Sequence, residues 1–98
     1  MTRMQKTDAL SAIFKAIRPD GSWQEVTAPS GYNNYYRAHG YSAGGNVTVY
    51  IVEARSGNGF RPGDTIGTVT RHNVTGECSI NPVTFKRYLQ AWTGDMAE

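Results

Sequence analysis

The sequence predicts a two-layer α+β fold, with a four-stranded antiparallel sheet carrying an N-terminal and a C-terminal helix on one face, in the order α-β-β-β-β-α. Three observations lead to it. Apolar residues recur at helical spacing near both ends of the chain. Between those ends lie extended runs rich in Thr, Val and Tyr, punctuated by Gly, Pro and Asn. The glycine-rich segments between strands read as hairpin turns, and an antiparallel meander with both helices on one face buries both apolar stripes at once. A small, strongly bent β-barrel with helical ends is the alternative closure of the same elements.

The first helix is expected over Thr7 to Arg18, where Leu10, Ile13, Phe14 and Ile17 share one face. Thr7 or Asp8 can cap its first turn, and Pro19 excludes further helix. After the Asp20-Gly21 turn, Ser22 to Ala28 reads as a short strand ended by Pro29-Ser30-Gly31. Tyr32 to Ser42 is the second strand, and Ala43-Gly44-Gly45-Asn46 reverses the chain. Val47 to Ala54 carries apolar residues on both faces, which places it at the sheet centre.

A loop from Ser56 to Asp64 leads to a fourth strand, Thr65 to Val74. Ile66 and Val69 are out of phase by one residue there, so a bulge is expected near Gly67. Thr75-Gly76-Glu77 turns the chain. Asn81-Pro82 reads as a helix start, since asparagine can cap and proline suits the first helical position. Phe85, Tyr88, Leu89 and Trp92 continue that helix to Gly94. The expected core joins Leu10, Ile13, Phe14 and Ile17 with Phe85, Leu89 and Trp92 over Val49 or Ile51.

Ninety-eight residues with 39% hydrophobic and 18% charged content suit one folded domain, 1–98, with 1–6 and 95–98 frayed. The net charge of +2 is small and the basic residues are scattered, unlike the basic surface of a duplex binder. From Val26 to Val52 there is no acid and only Arg37 as a fixed base, so Tyr, Asn and Gly shape that surface. A lone Cys78 and an N-terminus without an apolar signal core lead to an expected cytoplasmic location without membrane insertion. The Asn46-Val47-Thr48 and Asn73-Val74-Thr75 triplets are then not glycosylation sites.

Catalytic patterns are weak. A thiol mechanism would need Cys78 beside His39 or His72, with Glu77 or Asp64 as orienting group, but Cys78 reads as a small buried hydrophobe. His39, His72 and Cys78 lack metal-ligand spacing, and the acids are dispersed. The two glycine-rich loops lie between strands and lack a phosphate-binding lysine. No catalytic residue, cofactor or metal is therefore expected, and the protein is read as a non-enzyme.

One stretch stands out. If Tyr32 to Tyr41 is a regular strand, alternation puts Tyr35, Arg37, His39 and Tyr41 on one face and Tyr36, Ala38 and Gly40 on the other. Tyr and Arg dominate protein–protein hot spots, and they also stack unpaired bases on sheet platforms, while cross-strand packing alone would use tyrosines too. Two helices cover one sheet face and leave the other available. The expected function is therefore a small protein-binding or accessory module, with a protein partner or a second copy of the chain on the Tyr35, Arg37, His39, Tyr41 stripe. Its size and lack of catalytic motif suit accessory proteins of mobile elements or phages. The alternatives are single-stranded nucleic-acid binding on the same face, or a small enzyme using a histidine as general base.

Overall fold

The computed structural model describes residues 6–31, 33–55 and 64–83. Along them run helix α1 (Lys6–Ala16) and strands β1 (Gln24–Thr27), β2 (Asn33–Gly44), β3 (Val47–Ala54), β4 (Asp64–His72) and β5 (Cys78–Pro82). The strands form one antiparallel sheet whose spatial order is the chain order, β1-β2-β3-β4-β5. The fold is thus α+β with an antiparallel sheet, as expected. Among the described residues the strands number five instead of four, and β1 and β5 are not paired with each other, so the sheet they form is open and not a barrel.

The extra strand corrects the expected helix start at Asn81-Pro82. Those residues pair with Thr68 and Gly67 as the end of β5. The turn at Thr75-Gly76-Glu77 closes a hairpin through Gly76 N–H to His72 O, at 2.8 Å, and His72 N–H to Glu77 O, at 2.9 Å. Once β5 lies beside β4, its ladder bonds and the packing of half-buried Ile80 against the core outweigh a local helix-start signal. The remainder of the expected second helix, including Phe85, Tyr88, Leu89 and Trp92, lies outside the described residues.

Helix α1 forms where its apolar spacing predicts. Ala9, Leu10, Ile13 and Ile17 are buried, and Phe14 packs on the core with its ring 5.3 Å from that of Tyr50. Thr7 and Asp8 sit within the first turn instead of capping it, since the helix already includes Lys6. Beyond Ala16 the chain is tied down by Gln24, whose Oε1 accepts from Arg18 N–H and whose Nε2 donates to Arg18 O, both at 2.7 Å. The following turn is held by Asp20, which accepts from the Ser22 N–H and hydroxyl. Those hydrogen bonds stabilise the ionised form and lower the Asp20 pKa below its ordinary value.

Helix α1 lies over β4 and β5. Gly67 makes the approach possible, because a Cβ there would collide with Leu10 Cδ2 and come 3.0 Å from the Asn81 carbonyl oxygen. The inner sheet face supplies Tyr36 and Ala38 from β2, Val52 and Ala54 from β3, and Ile66 and Val69 from β4, all buried. Each large apolar side chain removed from water contributes about 1.5–3 kcal/mol before the entropy cost of ordering it. The expected bulge is present: Val52 pairs with Gly67 and Glu53 with Thr65, leaving Ile66 as the extra residue, and Ile66 is fully buried.

Val49 and Ile51 correct a further expectation. Register places them opposite Tyr41 and His39, on the face away from α1, while Tyr50, Val52 and Ala54 point to the core side. A strand with apolar residues on both faces does not announce which set the core takes; the pairing with Ala38 and Tyr36 decides it.

Candidate functional site

Pairing lines up the outer face in rows across the strands. Glu25, Tyr35 and Arg55 form the first, with Arg55 N–H donating to Tyr35 O at 2.9 Å. Arg37, Glu53 and Thr65 form the second, and His39, Ile51, Thr68 and Asn81 the third. Tyr41, Val49, Thr70 and Ser79 make the fourth, and Val47 and His72 the fifth. No described element lies over these rows, and Tyr35 and Tyr41 remain 40% and 54% exposed.

The four stripe residues read from the sequence therefore share this face, with Arg37 and His39 half-buried. Their neighbours determine what they can do. Glu53, its side chain only 13% exposed, accepts from Arg37 Nε at 2.6 Å on the oxygen that lies 2.8 Å from His39 Nε2. A carboxylate oxygen only accepts, so His39 Nε2 carries the proton in that bond. Trp23, just before β1, presents its ring 4.5 Å from the Arg37 guanidinium. Arg37 is thus held between a ring and a carboxylate. The Arg55 guanidinium lies 5.1 Å from the Tyr35 ring centre and 5.9 Å from that of Trp23. Two guanidinium groups and two aromatic rings form one cation–π corner at this end of the sheet.

Trp23, Glu53 and Arg55 were not singled out by sequence reasoning. Trp23 sits two residues before Glu25, so alternation ties it to that residue's face, but only the pairing of β1 with β2 says which face that is. Glu53 lies one residue past the acid-free stretch, and its place opposite Arg37 appears only with the β2–β3 register.

At the other end of the same face, Val47, Thr70, His72, Thr75, Glu77 and Ser79 line a shallow depression of about 390 Å³. His72 Nδ1 accepts the Thr75 N–H at 3.3 Å, which leaves the ring proton of the neutral form on Nε2. Cys78, expected to be buried, is exposed, and its thiol reaches the Gly76 carbonyl at 3.6 Å. It is an edge-strand residue of β5, where nothing described covers it. It makes no hydrogen bond to His39 or His72, so the nucleophile–base pair weighed from the sequence is not assembled among the described residues. Among those residues no three His, Cys, Asp or Glu converge as a metal site, and no helix is long and apolar enough to cross a membrane. No protein-family model, no curated protein and no solved structure matches this chain.

Proposed function

We propose that the protein is a small, non-enzymatic binding module that docks a protein partner on the outer face of its sheet. The observation that carries this reading is the cation–π corner, where Arg37 and Arg55 lie over the rings of Trp23 and Tyr35. Trp, Tyr and Arg on a preformed surface are the residue types that dominate protein hot spots, because they bury large area with little loss of side-chain freedom. The aliphatic strip Val47, Val49 and Ile51 extends the surface along β3.

Single-stranded nucleic acid is the weaker reading. Base stacking needs open ring faces, and here guanidinium groups approach them. Arg37 is already neutralised by Glu53, and Glu25 adds a second carboxylate to the face. The proposal extends to a cytoplasmic setting, suited to an exposed free thiol, and to an accessory role of the kind found in mobile elements or phages. A second copy of the chain is among the admissible protein partners.

The test begins with the partner retrieved by cross-linking and pull-down with the parent chain. Tyr35→Ala and Tyr41→Ala should each weaken its binding by about 1–3 kcal/mol while leaving the melting temperature nearly unchanged. Affinity should vary weakly with salt. Parent-like affinity in both variants would refute the face as the binding surface. Tight, steeply salt-dependent binding of a thymidine oligonucleotide would instead favour the nucleic-acid reading.

A further inference from the structure

Arg55 differs from the other guanidinium of its corner, and the difference names the chemistry of the partner; the inference rests on the reading of the outer face as a protein-binding surface. Arg37 is paired with Glu53, whose same oxygen is hydrogen-bonded to His39, and Arg18 pairs with Asp20 at 3.3 Å. Arg55 has no carboxylate within ion-pair distance among the described residues, and its recorded side-chain interactions are the two ring contacts. It is exposed. Its backbone is fixed by the bond to Tyr35 O.

We propose that Arg55 is a charge anchor and that the partner presents to it the carboxylate of an Asp or Glu side chain, followed by aliphatic side chains that settle on Ile51 and Val49. With its guanidinium 5.1 Å and 5.9 Å from two ring centres and no carboxylate beside it among the described residues, Arg55 has N–H donors left for a partner, and a planar guanidinium receives a carboxylate through two parallel hydrogen bonds. The ring contacts restrict the side chain, so less freedom is lost on binding. Along the outer side of β3 the order is Arg55, Glu53, Ile51, Val49, Val47: a cation with no carboxylate partner among the described residues, a satisfied carboxylate, then three aliphatics. From Arg55 to Ile51 is about 13 Å at the rise of an extended strand, which sets the distance between acid and aliphatic group in the partner.

A phosphate or polyanion fits worse. Glu25 occupies the same row as Arg55 and Glu53 the next, so each additional negative charge meets two carboxylates, whereas a single carboxylate can be matched by the Arg55 guanidinium, which pairs with no carboxylate among the described residues.

A phage-displayed library of random 12-residue peptides, selected in parallel on the parent chain and on Arg55→Glu, tests the proposal. Peptides retained by the parent should carry an Asp or Glu, and changing that residue to its amide should weaken binding about tenfold or more, the scale of a charge-assisted hydrogen bond. Arg55→Glu should reverse the preference to Lys or Arg while melting like the parent. Arg55→Lys, which keeps the charge and loses the fork, should fall between parent and Arg55→Glu.

The carboxylate anchor is overturned if retained peptides lack acids, if acidic peptides bind Arg55→Glu as tightly as the parent, or if no peptide is retained. It is equally overturned if a decathymidine oligonucleotide or a phosphoserine peptide gains more from Arg55 than the acidic peptides do. Peptides that lose affinity on Tyr41→Ala but not on Arg55→Glu would remove the anchor and leave the binding face standing. Peptides indifferent to Tyr35→Ala, Tyr41→Ala and Arg55→Glu alike bind elsewhere and remove both.

Discussion

On β2, Tyr36 and Ala38 go to the inner face and Tyr35, Arg37, His39 and Tyr41 to the outer, within one continuous stretch of backbone. The inner set is closed off from water and surrounded by Val52, Ala54, Val69 and α1, so its value lies in volume and fit. The outer set keeps part of its surface wet and is organised by direction: a ring under a guanidinium, a carboxylate beside two donors. Adjacent tyrosines thus carry unrelated burdens. Residue type says little about role here; the face of the pleat says most of it.

The largest effect expected from that contrast is on the inner side. Tyr36→Ala empties a site that is 2% exposed and should cost about 3–5 kcal/mol, lowering the melting temperature by about 15 °C or more. Tyr35→Ala, one residue away, should stay within about 1 kcal/mol. Equal losses in the two, measured by thermal melting, would erase the distinction between the faces.

A smaller effect is expected from Gly67→Ala, which adds a methyl group against Leu10 and should lift α1 from the sheet at about 1–3 kcal/mol. Its readout is the melting temperature together with peptide binding on the outer face. Binding retained in the folded fraction would show that the outer rows depend on strand pairing and not on how closely the helix is seated. The smallest effect belongs to the Asp20 turn. Its carboxyl pKa is lowered by the Ser22 hydroxyl and N–H, so the associated stability is present above the unfolded-state value and is lost as pH falls through the lowered one. Asp20→Asn should therefore flatten a slight acid-side decline below about pH 4 and change little at neutrality. A parent-like decline in the variant would assign the acid sensitivity to another carboxylate.

Much of this architecture was legible in local pattern. The spacing of Leu10, Ile13 and Ile17 specified α1, and alternation in β2 separated Tyr36 and Ala38 from the Tyr35–Tyr41 stripe. What was not legible depended on partners distant in the chain. Asn81-Pro82 carries a genuine helix-start signal, but the edge offered by β4 captured it as strand. Val49 and Ile51 could face either way until register with β2 chose for them. The corner of Trp23, Arg55 and Glu53 draws on β1, β2 and β3 together, and no single-strand period contains it. Cys78 was assigned by the habits of its residue type, which do not hold on a short edge strand.

The strand order has a consequence for how quickly the chain can assemble. Among the described residues each strand pairs with its neighbours in sequence, so these ladders join segments close along the chain, and the hairpins can zip in succession without waiting for distant segments to meet. Helix α1 breaks that economy of search. It precedes all five strands yet rests on the last two, and Leu10 meets Gly67 only after the intervening meander has folded back far enough to bring them together. That closure carries the largest loop entropy among these contacts, so docking of α1 is expected to be the late, rate-setting event, with the outer rows already in register before the core is sealed.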